Sequence, residues 1–185
     1  MKICCLGDSL TAGYGVRPEN CWVSLLNHRT SHTWINCGIP GDTSLGMLTR
    51  LRTDILPQKP DYVIWLGGFN DILLTGSDHQ AKSCVMAFVN HCVAAGVKPV
   101  IGIPYEIRAG AAPWNRLCDW EVCRPVLEGY ISWLHRLTEA AMLRRVDFRE
   151  TAFSLQSDGM HPSEEGHRRM AEAVLGCACF KEGAV

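Results

Sequence analysis

Short, continuous apolar runs alternate along this chain with longer stretches whose apolar residues recur at helical spacing. Ile3-Cys4-Cys5-Leu6 follows Lys2 without a polar break, and the run predicts a buried strand over Lys2–Leu6. After a turn over Tyr14–Asn20, Cys21-Trp22-Val23 with Leu25 and Leu26 reads as an amphipathic helix. Thr33–Cys37 is a second strand, closed by the turn formers Gly38-Ile39-Pro40-Gly41. Thr43 or Ser44 can cap the next helix, in which Leu45, Leu48, Leu51 and Ile55 keep helical spacing until Pro57 and Pro60 stop it. Asp61–Leu66, with Tyr-Val-Ile-Trp in its middle, suits a parallel strand covered on both faces and ends at Gly67-Gly68. A helix from about Gln80 to Ala95 stops at Gly96. Lys98–Ile103 is the fourth strand, with Pro99 tolerable near its start. Tyr105–Arg124 is the least regular segment, with room for a short helix near Trp114–Trp120. A helix over Val126–Leu143, a short strand Val146–Phe148 and a final helix capped by Ser163 complete the series, with Glu164 and Glu165 set against the positive end of the last dipole.

Strand-helix alternation repeated five times predicts an α/β fold, a three-layer α/β/α sandwich whose parallel strands are joined by right-handed crossovers. There is no internal repeat, low-complexity tract or linker, so residues 1–185 read as one domain. In an open parallel sheet the site lies outside the carboxyl ends of the strands. The loops after strands one, two, three and five are the four with unusual residues.

Composition narrows the classes. Apolar residues make up 47% and charged residues 20%, ordinary for a globular protein, and a formal net charge of -1 makes no electrostatic case for nucleic acid. Arg144-Arg145 and Arg168-Arg169 read as solvated helix faces. Ten cysteines are many, yet Cys4 and Cys5 fall in a core strand and most others at apolar helix positions, where cysteine acts as a small hydrophobe. With no secretory leader before the strand at Lys2, the chain as given reads as cytoplasmic with reduced thiols. Cys118-x4-Cys123 and Cys177-x-Cys179 lack the paired spacing of a zinc site, and no apolar run approaches a membrane span.

Ser9 stands on the turn behind strand one, in Gly7-Asp8-Ser9-Leu10-Thr11, followed by the small residues Ala12, Gly13 and Gly15. A serine there is either a helix cap or a nucleophile on a rigid support. A nucleophile needs a base, a group that orients the base, and donors for an oxyanion. His161 is the best base candidate: it lies on the loop after strand five with Asp158 three residues earlier, a spacing that folds the carboxylate onto Nδ1 and leaves Nε2 for Ser9. The same Asp-x-x-His could instead be a capping turn. The other six histidines lie in helices or polar turns. Donors are available from the Gly41 N–H, the Asn70 side-chain amide and the Ser9 N–H, while Asn70 and Asp71 could alternatively serve an Asx turn. Ser9 lacks the glycine two residues on that a Gly-x-Ser-x-Gly elbow needs, position 12 is alanine rather than the lysine of Ser-x-x-Lys, and Gly7–Gly13 carries no phosphate-loop lysine.

Four blocks in order resemble the SGNH (GDSL) hydrolases: Gly7-Asp8-Ser9-Leu10, Asn36-Cys37-Gly38-Ile39-Pro40-Gly41-Asp42-Thr43, Gly68-Phe69-Asn70-Asp71 and Asp158-Gly159-Met160-His161-Pro162. The resemblance implies a flavodoxin-like five-stranded sandwich, Ser9 as nucleophile, His161 as general base and Asp158 as its orienting acid. It implies an oxyanion hole of the Gly41, Asn70 and Ser9 donors, and no metal or organic cofactor. Chain length and Gly-Asp-Thr-Ser at 41–44 look most like the small esterase, lysophospholipase and thioesterase branch. That branch often reads Gly-Gly-Asn-Asp at the third block; here Phe69 intervenes and could line the acyl or alcohol side. The expected activity is hydrolysis of a small-molecule carboxylic ester, of lipid type or with a small acyl group, including thioesters, through an acyl-enzyme on Ser9. The alternatives are an O-acetyl esterase for a sugar or other small compound, and a catalytically silent flavodoxin-like binding module. Trp114, Trp120, Arg108 and Arg116 in the Tyr105–Arg124 segment either border the substrate or pack on the sheet.

Overall fold

Continuous apolar runs of five or six residues can bury both faces only at the centre of a layered structure, and the computed structural model, which describes residues 1–107, 118–150 and 154–180, places them there. The strands β1 (Lys2–Gly7), β2 (Thr33–Gly38), β3 (Tyr62–Leu66), β4 (Lys98–Ile103) and β5 (Arg144–Asp147) form one sheet in the order β2-β1-β3-β4-β5. Every pairing is parallel, with Cys4 opposite Ile35 and Val63, Ile64 opposite Val100, and Gly102 opposite Val146. This is the flavodoxin-like order.

The helices are α1 (Ser9–Ala12), α2 (Trp22–Arg29), α3 (Ser44–Arg50), α4 (Phe69–Thr75), α5 (His79–Ala94), α6 (Trp120–Ala140) and α7 (Glu164–Gly176). From β1 to β2 the chain moves one way across the sheet, and from β2 onward it moves the other way. Right-handed crossovers therefore put α2 on one face and α3, α5 and α6 on the opposite face. Helix α7 returns to pack on α2, while α3 packs on α5 and α4 on α6. The core is carried by Trp22, Trp65, Phe88, Tyr130 and Phe148, all fully buried.

Several elements differ from their sequence expectation. Helix α6 begins at Trp120, not Val126: Asp119 caps it by accepting from the Glu121 N–H at 3.1 Å, and Pro125 lies inside rather than ahead of it. A proline in the second turn forfeits one backbone bond, and the buried stripe Cys123, Leu127, Tyr130, Ile131 and Leu134 outweighs that loss. The last strand starts two residues early, so Arg144 and Arg145 lie on a strand rather than a helix face. β5 is an edge strand, where charge is tolerated because one side of the ladder faces solvent. Arg168 and Arg169 do lie on a helix, both bonded to Glu165 at 2.9 Å. Helix α4, which the sequence left as a strand terminator, follows β3 directly. The short helix expected near Trp114–Trp120 falls mostly on 108–117, outside the described residues.

Because β1 lies between β2 and β3, the sheet reverses its winding there. The loops leaving the carboxyl ends of these three adjacent strands meet at that switch point.

Candidate active site

The turn behind β1 is organised by Asp8, not by Ser9. The Asp8 carboxylate accepts from the Leu10 N–H at 3.0 Å and so caps α1, which frees the Ser9 side chain from capping. Ser9 is the first helical residue, and an N–H at that position has no acceptor within its own helix. Burial pushes the Asp8 carboxyl up to about 7; the Leu10 N–H opposes this, and the carboxylates of Asp42 and Asp71 add to it. A carboxyl raised this far carries less negative charge near neutral pH than an ordinary aspartate would beside a site built to receive an oxyanion.

The loop after β5 brings the base. His161 Nε2 stands 2.9 Å from Ser9 Oγ, across 152 residues of sequence, and His161 Nδ1 lies 2.6 Å from Asp158 Oδ2. These partners assign the tautomer: Nδ1–H donates to Asp158, and Nε2 accepts from the serine hydroxyl. Asp158 Oδ1 also accepts from the backbone N–H groups of Met160 and His161, at 2.9 and 3.0 Å. Burial alone would raise the Asp158 carboxyl, but the His161 hydrogen bond and the two backbone donors hold it below its ordinary value. The Asp-x-x-His spacing is thus both a turn and a base-orienting pair.

The loops after β2 and β3 supply the remaining candidates. Gly41 has φ +78°, a left-handed conformation that side chains resist, while the space around it is open, so it is the dihedral that calls for glycine. Asn70, on the first turn of α4, donates one Nδ2 hydrogen to the Asp42 carbonyl at 2.8 Å, which fixes the amide and leaves its second hydrogen for a ligand. Asp71 is buried and accepts from both the N–H and Oγ of Ser44 at 2.9 Å, locking the third loop to the second rather than closing a local turn. Ser9, Gly41, Asn70 and His161 line one cavity of ≈ 300 Å³ whose other walls are Tyr14, Pro40, Leu73, Leu74 and Met160. Phe69 does not line this cavity. It is buried and lines a neighbouring cleft of ≈ 170 Å³ with Glu106, Trp120 and Arg124. Arg108, Trp114 and Arg116 lie outside the described residues.

Four supporting residues escaped the sequence reading. Arg50 of α3 donates to the carbonyls of Cys37 (2.9 Å) and Gly7 (3.4 Å) and to Asp42 Oδ2 (2.6 Å), tying together the ends of β1, β2 and the Gly41 loop. Gln156 Nε2 donates to the Tyr14 carbonyl at 2.8 Å and the Pro162 carbonyl at 2.9 Å, joining the Ser9 loop to the His161 loop. The Tyr14 ring lies 4.6 Å from the His161 ring. Beneath the same turn, Tyr105 at the end of β4 donates its hydroxyl to the Met160 carbonyl at 2.8 Å. Only the placement of Gln156 just ahead of Asp158 hinted at its part; Arg50 carried no local signal.

Among the other histidines, His135 does have an acidic neighbour, Asp147 at 3.1 Å, but the pair sits between α6 and the end of β5 rather than on a loop facing Ser9. His167 is wholly buried on α7. Its Nδ1 accepts from the Trp22 N–H, and burial followed by the nearby His161 lowers it to about 4, so it stays neutral. Among the described residues no three His, Cys, Asp or Glu side chains are grouped to hold a metal, and no helix is long and apolar enough to cross a membrane.

The profile of the GDSL-like lipase/acylhydrolase family matches residues 5–169. Thioesterase 1/protease 1/lysophospholipase L1 of Escherichia coli is 32% identical over 98 residues, which is 52% of this chain and 47% of that protein. The chain thus matches about half the length of that relative. Among solved structures, a member of the lipolytic G-D-S-L family from Veillonella parvula superposes with a TM-score of 0.82 at 20% identity, over 98% of this chain and 100% of that one. Est24, a carbohydrate acetylesterase from Sinorhizobium meliloti, gives 0.82 at 17% identity, over 94% and 95%. At these identities both likenesses speak to the fold.

Proposed function

Since the chain belongs to the GDSL-like lipase/acylhydrolase family, we propose that it hydrolyses small-molecule carboxylic esters through an acyl-enzyme on Ser9. The observation that carries this reading is the continuous chain of contacts from Ser9 Oγ through His161 to Asp158, at 2.9 and 2.6 Å. His161 Nε2 takes the hydroxyl proton as Ser9 Oγ attacks the ester carbonyl. Asp158 keeps the imidazole in the required tautomer and stabilises the imidazolium. The oxyanion is received by the free Asn70 hydrogen and the N–H groups of Gly41 and Ser9. His161 then gives its proton to the leaving alcohol or thiol, and water activated by the same imidazole cleaves the acyl-enzyme, restoring Ser9.

A cavity of ≈ 300 Å³ walled by Pro40, Leu73, Leu74 and Met160 is at the small end of ligand sites and rich in carbon, which supports a short or medium acyl group. The same limited volume supports the second reading, removal of an O-acetyl group from a sugar or other small compound. The burial of six of the ten cysteines as apolar groups supports a reducing, cytoplasmic setting.

The test pairs a fluorophosphonate probe with an aryl-ester and thioester panel from acetyl to long acyl. Labelling of the wild type and not of Ser9→Ala, with hydrolysis lost in the variant, is the expected result. Equal labelling of both proteins overturns the nucleophile, and an unreactive wild type points to a binding module. A rate maximum at acetyl favours the second reading; a rise with chain length favours a lipid-type ester.

A further inference from the structure

At the opposite edge of the sheet from Ser9, the first residues of three neighbouring strands converge: Tyr62 of β3, Lys98 of β4 and Arg144 of β5. Strands of four to six residues rise about 3.3 Å per residue, so this edge lies about 13–20 Å from the Ser9 edge. The Lys98 ammonium is 5.0 Å from the centre of the Tyr62 ring, and the Arg144 guanidinium is 5.9 Å from the same centre. Among the described residues neither cation has a carboxylate at ion-pair distance, whereas Arg145 reaches Glu139 at 3.4 Å. Two cations gathered on one ring repel each other, and an anion between them relieves that cost.

These side chains wall a cavity of ≈ 360 Å³ whose remaining lining is Arg145 and the turn Cys177-Ala178-Cys179 beyond α7. The two thiols meet there, Sγ to Sγ at 2.7 Å, both half-buried, while six of the other eight cysteines are buried. The hydrogen bond with Cys177 and burial hold the Cys179 thiol above its ordinary value, although the Arg144 charge draws it down, which suits Cys179 to the resolving rather than the attacking role. A nucleophilic thiol beside a resolving thiol in an electropositive pocket is the arrangement of a thiol–disulfide exchange centre.

We propose that this pocket is a second, redox site, in which Lys98, Arg144 and Arg145 dock an anionic disulfide and the Cys177–Cys179 dithiol reduces it. The Cys177 thiolate attacks one sulfur of the bound disulfide, breaking its S–S bond, forming a mixed disulfide and expelling one anionic thiolate. Cys179 loses its proton and attacks the Cys177 sulfur, which forms the Cys177–Cys179 bond and expels the second thiolate. Two protein thiols are oxidised to one disulfide, one external disulfide is reduced to two thiols, and the two protons pass to the expelled thiolates. The site is independent of the chemistry at Ser9.

The experiment treats the folded full chain with dithiobis(nitrobenzoate), which bears a carboxylate on each ring, and separately with the neutral dithiodipyridine, followed by peptide mapping. Cys177 and Cys179 should react before the half-buried Cys37 and Cys118. The wild type should release both halves of the reagent and keep no adduct, and Cys179→Ser should stop at an adduct on Cys177. Lys98→Gln with Arg144→Gln should slow the dianionic reagent about 10-fold at low salt and leave the neutral one within about two-fold, an electrostatic preference that high salt erases. Aryl-ester hydrolysis by the charge variants reports that they remain folded. Earlier reaction of Cys37 or Cys118, separate adducts on both Cys177 and Cys179, or equal slowing of both reagents would each overturn the proposal.

Discussion

Replacing Gln156 by alanine tests whether the two halves of the site are held together by a residue that touches neither substrate nor nucleophile. Its amide donates to the Tyr14 carbonyl of the Ser9 loop and to the Pro162 carbonyl of the His161 loop, at 2.8 and 2.9 Å. Each such bond contributes about 0.5–1.5 kcal/mol net, so their loss withdraws about 1–3 kcal/mol from the juxtaposition of Ser9 and His161. If that energy goes into alignment, kcat falls about 10- to 100-fold, in keeping with the cost of an ångström of misplacement. The cavity walls Pro40, Leu73 and Leu74 do not contact Gln156 through any of these bonds, so KM should stay within about two-fold, the signature of an interaction expressed in the transition state. Gln156→Glu should do no better, because its carboxylate would face two carbonyl oxygens with no hydrogen to give. Gly15→Ala should reproduce part of the loss, since a methyl group there meets the Gln156 amide and Gly15 has φ +79°. Steady-state kinetics on an aryl ester, with thermal unfolding in parallel, decide the matter. An unchanged kcat, or a loss carried wholly by KM, would refute the brace.

Three further outcomes are expected. Asn70→Ala removes one oxyanion donor and should lower kcat about 10²–10³-fold with the fold intact; a loss under ten-fold would take Asn70 out of the hole. Asp158→Asn should cost about 10⁴-fold, because an amide cannot hold the same His161 tautomer, and full activity would remove Asp158 from the orienting role. The third concerns stability against pH. The unfolded chain protonates His167 near 6.5, whereas the fold resists until about 4, so this residue makes stability fall as pH drops through that window, by about 3 kcal/mol. Asp8 acts in the opposite sense: the unfolded chain releases its proton near 3.8 while the fold keeps it until about 7, so stability falls as pH rises between those values. Asp8→Asn should therefore gain steadily on the wild type in urea midpoint from pH 4 to pH 7, and parallel profiles would refute the buried neutral Asp8.

What the sequence by itself determined is whatever rests on neighbours along the chain. Ile3–Leu6 and Tyr62–Leu66 announce buried parallel strands because apolar residues on both sides of a pleat have no other stable place. The Asp158-His161 pair was legible because four residues of one turn suffice to build it, and the strand-end placement of Ser9, Gly41 and Asn70 followed from the alternation of strands and helices. Local signals also misled where packing overrode them. Pro125 reads as a helix boundary, yet the stripe from Cys123 to Leu134 carries α6 back to Trp120, and Arg144-Arg145 reads as a helix face only until β5 proves to be an edge. The tertiary structure alone decided that Phe69 turns into a neighbouring cleft, that Asp71 locks the third loop to the second, and that Arg50 and Gln156 brace the loops. The physical reason is one of range: periodicity and turn chemistry act over a few residues, while the partners of a side chain at a strand end are chosen by the order in which strands pair across the sheet.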